Sequence, residues 1–314
     1  MRIRVGDVRL FVDIAGLEFV TDGDYMRRRP TVVVLHGGPG MDSAGPKARF
    51  GFLEAVARVV YYDHRGNGRS DRGDPASWTL AQWGDDVKVL CETLGIERPI
   101  VFGGSFGGFV AMSYATRHPS HPAALGLFVT AARDVAREEM VEAFRALGGD
   151  EVAEVVRADN EHSTPDTSAR FIEKAMPIMS RHPDATALTQ REVARTVRNQ
   201  DVEIHFFNGE IKRMDFRAAL AGVECPTLVV SGEMDPVCPP SSFNELVTAL
   251  PQQLVESHLI KGAGHLVALD APEEFQRITM DFVLRHAAAS AVDSEAATAS
   301  PREVESEAGA PDFL

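Results

Sequence analysis

Gly103-Gly104-Ser105-Phe106-Gly107-Gly108 lies between an apolar run, Ile100-Val101-Phe102, and a helical run, FVAMSYATRH at 109–118. The pattern G-x-S-x-G in a strand–turn–helix setting places a serine on a sharp, strained turn, its hydroxyl exposed where the strand ends and the helix begins. Its neighbours must be small so that strand and helix can pass closely, and the helix N-terminus favours negative charge developing nearby. On these six residues alone a second reading stands: a glycine-rich turn whose serine merely caps the helix.

Working outward, strands and helices alternate. Arg2 to Val12 reads as a hairpin turning at Gly6-Asp7, and Thr31 to Leu35 (TVVVL) as a strand buried on both faces. A helical stretch near Phe50 to Ala57 follows, then a strand at Arg58 to Tyr62, a helix from Leu80 to Leu94, a strand at Pro99 to Phe102, a helix from Phe106 to Arg117 and a strand at Ala124 to Val129. From Arg133 to Phe216 the pattern is helical, with breaks at Gly148-Gly149, Pro165, Pro177 and Pro183. Alternation resumes at Pro226 to Val230, Ser241 to Leu250, Leu254 to Ile260 and Pro272 to His286. This predicts an α/β fold with a mostly parallel central sheet and a helical lid inserted after the sixth main strand, over the carboxyl ends where open sheets bind ligands. The expected organisation is a core at 1–132 and 217–287, a helical cap at 133–216, and a disordered acidic tail at 288–314, which is rich in Ala, Ser and Glu.

Three further stretches sit at predicted strand ends. His36-Gly37-Gly38-Pro39-Gly40 follows TVVVL, and its glycines let backbone approach a substrate carbonyl. The candidate oxyanion donors are the backbone N–H of Phe106 and of Gly38 or Gly37, with His36 as a packing or hydrogen-bonding residue of the loop. Asp235 follows TLVVS, and His265 follows LVESHLI in Gly262-Ala263-Gly264-His265. A serine hydroxyl is a weak nucleophile at neutral pH; an imidazole must take its proton, and a carboxylate must hold that imidazole in the right tautomer. The order Ser105, Asp235, His265 satisfies this, with Glu233 and Asp270 as rival acids; Asp270 is expected to begin the last helix. Asp63-His64-Arg65-Gly66-Asn67-Gly68-Arg69-Ser70 reads as structural, with Asp63 and Arg65 pairing. Phe171, Met176, Met179, Phe206 and Phe207 suit either a lid pocket or packing between lid helices.

Composition narrows the partners. The net charge of −14 disfavours nucleic acid and anionic membranes. Three cysteines without CxxC spacing suggest free thiols in a reducing cytoplasm, and no histidine spacing suggests a metal. The N-terminus lacks a secretory apolar segment, no run is long enough to span a membrane, and no glycine-rich phosphate loop opens the first βα unit, so no cofactor is expected.

Taken together, HGGPG (36–40), DHRGNGRS (63–70), GGSFGG (103–108), MDPVCPP (234–240) and GAGH (262–265) resemble the proline iminopeptidase (prolyl aminopeptidase) family of α/β hydrolases, over residues 20 to 285. The resemblance implies an α/β-hydrolase fold, cofactor-free removal of an N-terminal residue from short peptides through an acyl-enzyme, and Ser105, Asp235 and His265 as the triad. It also implies lid glutamates that hold the substrate's amine. Glu203, in Glu203-Ile204-His205-Phe206-Phe207, is the candidate, flanked by Phe206 and Phe207, with Glu210 close by in a context that does not match. Relatives acting on small esters, lactones or amides leave that substrate class open.

Overall fold

The computed structural model describes residues 1–290. β1 (Arg2–Val5) and β2 (Val8–Ala15) form the first hairpin, and β3 (Phe19–Asp22) with β4 (Tyr25–Arg28) forms a second, separate one. Then come β5 (Thr31–Leu35), α1 (Ala44–Phe50), β6 (Arg58–Tyr62), α2 (Leu80–Thr93), β7 (Ile100–Gly104), α3 (Phe106–Arg117) and β8 (Ala124–Phe128). The helix expected near Phe50 begins earlier, as α1, and passes into a 3-10 turn at Gly51–Ala55.

Between β8 and β9 the chain is helical: α4 (Arg137–Glu161, kinked at Gly149), α5 (Pro165–Lys174), α6 (Ala185–Arg195), α7 (Gln200–His205), a π-helical turn at Phe206–Glu210, and α8 (Arg217–Leu220). Pro165 sits where its missing N–H costs nothing, and Thr164 with Thr167 closes a capping box, so the sequence starts α5 where it does. β9 (Thr227–Gly232), α9 (Pro240–Ala249), β10 (Val255–Ile260), α10 (Val267–Asp270), α11 (Pro272–Arg285) and α12 (Ala287–Ser290) complete the fold. Helix α12 begins at the last core residue, Ala287, and takes in residues 288–290, assigned above to a disordered tail; the rest of that tail, from 291, lies outside the described residues.

The main sheet has eight strands in the order β1-β2-β6-β5-β7-β8-β9-β10, parallel from β6 to β10. Strand order reverses around β5, whose neighbours are β6 and β7, and pairing of Leu35 with Gly103 brings the ends of β5 and β7 level. A crevice opens at such a reversal. The serine turn and the HGGPG loop are therefore side by side at its mouth. The wholly buried β5, β8 and β9 separate two apolar layers, and a third cluster around Val141, Phe144 and Val156 lies inside the helical segment.

The loop after β6 departs from expectation: Asp63 and Arg65 do not pair. In a continuing strand, residues two apart would share a face, but β6 ends at Tyr62 and the chain turns at Arg65 and Gly66, which sends the two side chains apart. Asp63 turns to the HGGPG side, accepting from the Ser43 N–H and hydroxyl and from Arg69 N–H. Arg65 turns to α2, where its Nε and Nη2 grip Asp86 at 2.9 and 2.8 Å, and its Nη1 reaches Asp7. Arg65 and Asp86 are both buried while Asp7 is exposed, so removing Asp86 leaves Arg65 without its buried counterion. Asp86→Ala is expected to cost about 3 kcal/mol in urea unfolding; a loss below about 1 kcal/mol would show that Asp7 and solvent suffice for Arg65.

Candidate active site

Ser105 joins β7 to α3 with φ 52° and ψ −123°, a conformation non-glycine residues avoid. The surrounding glycines explain how it is held. A Cβ on Gly103 would lie 2.1 Å from Gly107 O, and one on Gly107 would lie 2.3 Å from Leu35 O. Strand, helix and β5 thus close around the serine with no room for side chains. Thr130 donates to Ser105 O at 3.0 Å and fixes the turn from β8.

The first amides of α3, Phe106 among them, have no carbonyl of their own helix to bond. Gly37 and Gly38 face the same cavity as Ser105, with Gly38 at φ 115°. The Phe106 side chain points away, packed edge-on against Trp83, Phe206 and His64. His36 is buried and clamps two loops. Its Nε2 accepts from His64 N–H at 3.0 Å, and its Nδ1 lies 2.7 Å from Gly37 O. Burial holds His36 below the ordinary histidine range, and His64 well below it, which favours the neutral form of both rings.

Asp235 and His265 come together from the ends of β9 and β10. The imidazole Nδ1 lies 2.8 Å from Asp235 Oδ2 and 3.0 Å from Oδ1, with both residues buried. Oδ1 also accepts from the N–H of Val237 and Cys238, at 2.8 and 2.9 Å. Ser105 and His265 face one cavity of about 370 Å³. Among the described residues neither Ser105 Oγ nor His265 Nε2 has a hydrogen-bond partner; such contacts often tighten only with substrate in place. Cys238 Sγ lies near Asp235 and His265, a grouping that could be taken for metal ligands. Burial pushes this thiol well above its ordinary range, which favours its neutral form beside the Asp235 carboxylate.

Neither rival acid reaches the imidazole. Glu233 is exposed and accepts from Gly262 N–H. Asp270 does not cap α11, whose N-cap is Ala271; its oxygens accept from Gly264 N–H and from residues 180–182.

The helical segment supplies the rest of the cavity wall, including Phe171, Met176, Met179 and Phe207. Glu203 lines it too, but Arg198 Nη2 lies 2.6 Å from one carboxylate oxygen and the Ser168 hydroxyl binds the other. Two residues proposed to touch substrate do not reach the cavity. Phe206 is fully buried against Trp83, Phe106 and Phe109. Glu210 accepts from Leu80 N–H at 2.9 Å and pairs with Arg213. Asp159 is a lining residue that sequence reasoning missed. It is nearly buried, bonded to the Thr167 hydroxyl at 2.7 Å, and burial raises its carboxyl above the usual range. Arg198 was missed as well; it precedes α7, five residues from Glu203, a spacing that carries no helical pairing signal.

Comparison with known proteins agrees with the fold. A proline iminopeptidase of Pestalotiopsis fici, PfmaB, is 28% identical over 83% of this chain and 94% of its own. A putative carbamate hydrolase of a Caulobacter species, RutD, is 27% identical over 81% and 96%. The crystal structure of a proline iminopeptidase from Mycobacterium smegmatis superposes with a TM-score of 0.68 at 25% identity, covering 91% of this chain and 98% of that one. No helix among the described residues is long and apolar enough to cross a membrane. The model of the alpha/beta hydrolase fold matches residues 30–272, and the chain belongs to that family.

Proposed function

We propose that this hydrolase works through an acyl-enzyme on Ser105 and releases the N-terminal residue of small peptides or amides. The observation that carries the reading is the strained Ser105 facing one cavity with His265, whose far nitrogen is held by buried Asp235. His265 Nε2 takes the hydroxyl proton as Ser105 Oγ bonds to the substrate carbonyl carbon. The carbonyl electron pair moves onto oxygen, which rests on the backbone N–H of Phe106 and of Gly38 or Gly37. Collapse of the tetrahedral adduct expels the leaving amine, which takes the proton from His265. Water then repeats the sequence on the acyl-enzyme and frees the serine. In this reading residues 133–216 act as a cap, and residues 1–132 and 217–287 carry the reaction. Three free, buried cysteines support a reducing, cytoplasmic setting.

Glu203 supports an amine-bearing substrate because a carboxylate in a half-dry cavity attracts ammonium more strongly than one in water. Arg198 favours a second reading: with Glu203 already paired, the wall also suits a neutral ester, lactone or carbamate. Glu203→Gln separates the two. Hydrolysis of a free-amine substrate such as proline p-nitroanilide should fall by about 10- to 100-fold in kcat/KM, the worth of a charge-assisted hydrogen bond, while p-nitrophenyl acetate hydrolysis stays within about twofold. Equal loss on both substrates would remove ammonium recognition from Glu203.

A further inference from the structure

We propose that the cap positions the reacting groups as well as covering them. Its segments 179–182, which begins at the last residue of the 3-10 turn Met176–Met179, and 197–199, between α6 and α7, clamp the histidine loop and the oxyanion loop, with Asp270 and Asn199 as positioning residues. The inference rests on the roles given above to Ser105, His265 and the HGGPG loop.

On the histidine side, His265 N–H donates to Met179 O at 2.7 Å. Gly264 N–H donates to Asp270 Oδ2 at 2.7 Å, while Asp270 Oδ1 accepts from the N–H of Arg181 and His182, at 3.0 and 3.1 Å, and from the Ser180 hydroxyl. One carboxylate therefore ties the backbone beside His265 to the cap. Acceptance by an ionised group makes these bonds stronger than neutral ones.

On the oxyanion side, Asn199 N–H donates to Gly40 O at 2.7 Å, and Gly40 N–H donates to Asn67 Oδ1 at 2.7 Å. The Gly40 residue is held from the cap through its carbonyl and from the core through its amide. Asn199 Nδ2 continues to Gly66 O at 2.7 Å, and Val197 N–H reaches Asp42 Oδ2 at 3.0 Å.

The two clamps share a signature. A Cβ on Gly40 would lie 2.7 Å from Asn199 O, and a Cβ on Gly264 would lie 2.5 Å from Met179 O. The last glycine of HGGPG and the glycine before the histidine are both places where cap backbone presses on core backbone. Reacting groups tolerate little displacement, so loosening either clamp should appear in the chemical step rather than in binding.

Two variants test this. Asn199→Ser keeps the backbone N–H to Gly40 and a side-chain oxygen for the Asp201 N–H at the start of α7, but loses the bond to Gly66 that anchors segment 197–199 to the core, so it tests whether that anchor holds the segment against Gly40. Asp270→Asn places an NH2 group where carboxylate oxygens now accept. With p-nitrophenyl acetate each should lower kcat about tenfold or more and leave KM within about threefold. Phenylboronic acid, which forms a tetrahedral adduct on an active serine, should bind Asn199→Ser more weakly by about the same factor. Thermal unfolding is followed alongside. Wild-type kcat and boronate affinity in folded protein, or a change confined to KM, overturns the clamp; if Asp270→Asn does not fold, Asn199→Ser decides. Failure of a fluorophosphonate to label Ser105 in the wild type removes the serine assignment itself. Labelled wild type with unaffected variants removes only the clamp.

Discussion

Ser105→Ala is expected to lower kcat by about 10⁶-fold on any substrate the protein turns over, and to abolish labelling by a fluorophosphonate. The residual rate would come from the backbone donors and from binding, which survive loss of the nucleophile. The fold should be indifferent to the change. The backbone strain at φ 52° is already present in the native protein, the serine side chain caps nothing, and alanine fits the same space. Initial rates and circular dichroism on one preparation check both halves. A folded variant that keeps more than a trace of activity would take Ser105 out of the reaction.

Asp235→Asn should lower kcat by about 10⁴-fold with little loss of fold, for a reason visible in the hydrogen bonds. Oδ1 accepts from the N–H of Val237 and Cys238, so an asparagine must place its oxygen there. The NH2 group then falls at the Oδ2 position, 2.8 Å from His265 Nδ1 in the wild type. Facing a donor, Nδ1 gives up its hydrogen and becomes the acceptor. The proton moves to Nε2, which can no longer take one from Ser105. Crystallography of the variant should show the side chains unmoved. An activity loss of less than about tenfold would mean that orientation of His265 does not depend on the carboxylate.

Much of this site could be read from the chain because each part is local. The serine turn, the HGGPG loop and the loops bearing Asp235 and His265 each follow an apolar strand, and a parallel sheet brings strand ends to one edge whatever their separation in sequence. The cap wall was harder to read. Phe206 and Phe207 are adjacent, so on a helical path they point about 100° apart; one enters the core and the other the cavity. Glu203 and Glu210 would share a face at seven residues' spacing in a regular α-helix. The π-helical turn at Phe206–Glu210 breaks that register and sends Glu210 to the start of α2 instead. Asp63 and Arg65 are two apart in sequence yet serve different neighbours, Ser43 and Asp86, which no local pattern shows. The β3–β4 hairpin also went unread, since it leaves Phe19, Tyr25 and Met26 exposed and lacks the buried alternation that marks a strand.

The contacts at Gly40 and Gly264 bear on how such enzymes diverge. Substrate-contacting walls drawn from one insertion would be free to drift or be exchanged wholesale, leaving the chemistry on the sheet intact. Here the insertion meets the sheet at two points where even a methyl group would collide with its backbone. A graft from a relative would inherit a new taste for substrate only if its connecting turns reproduced those two approaches, so turnover after transplantation should track the joints more closely than the helices between them.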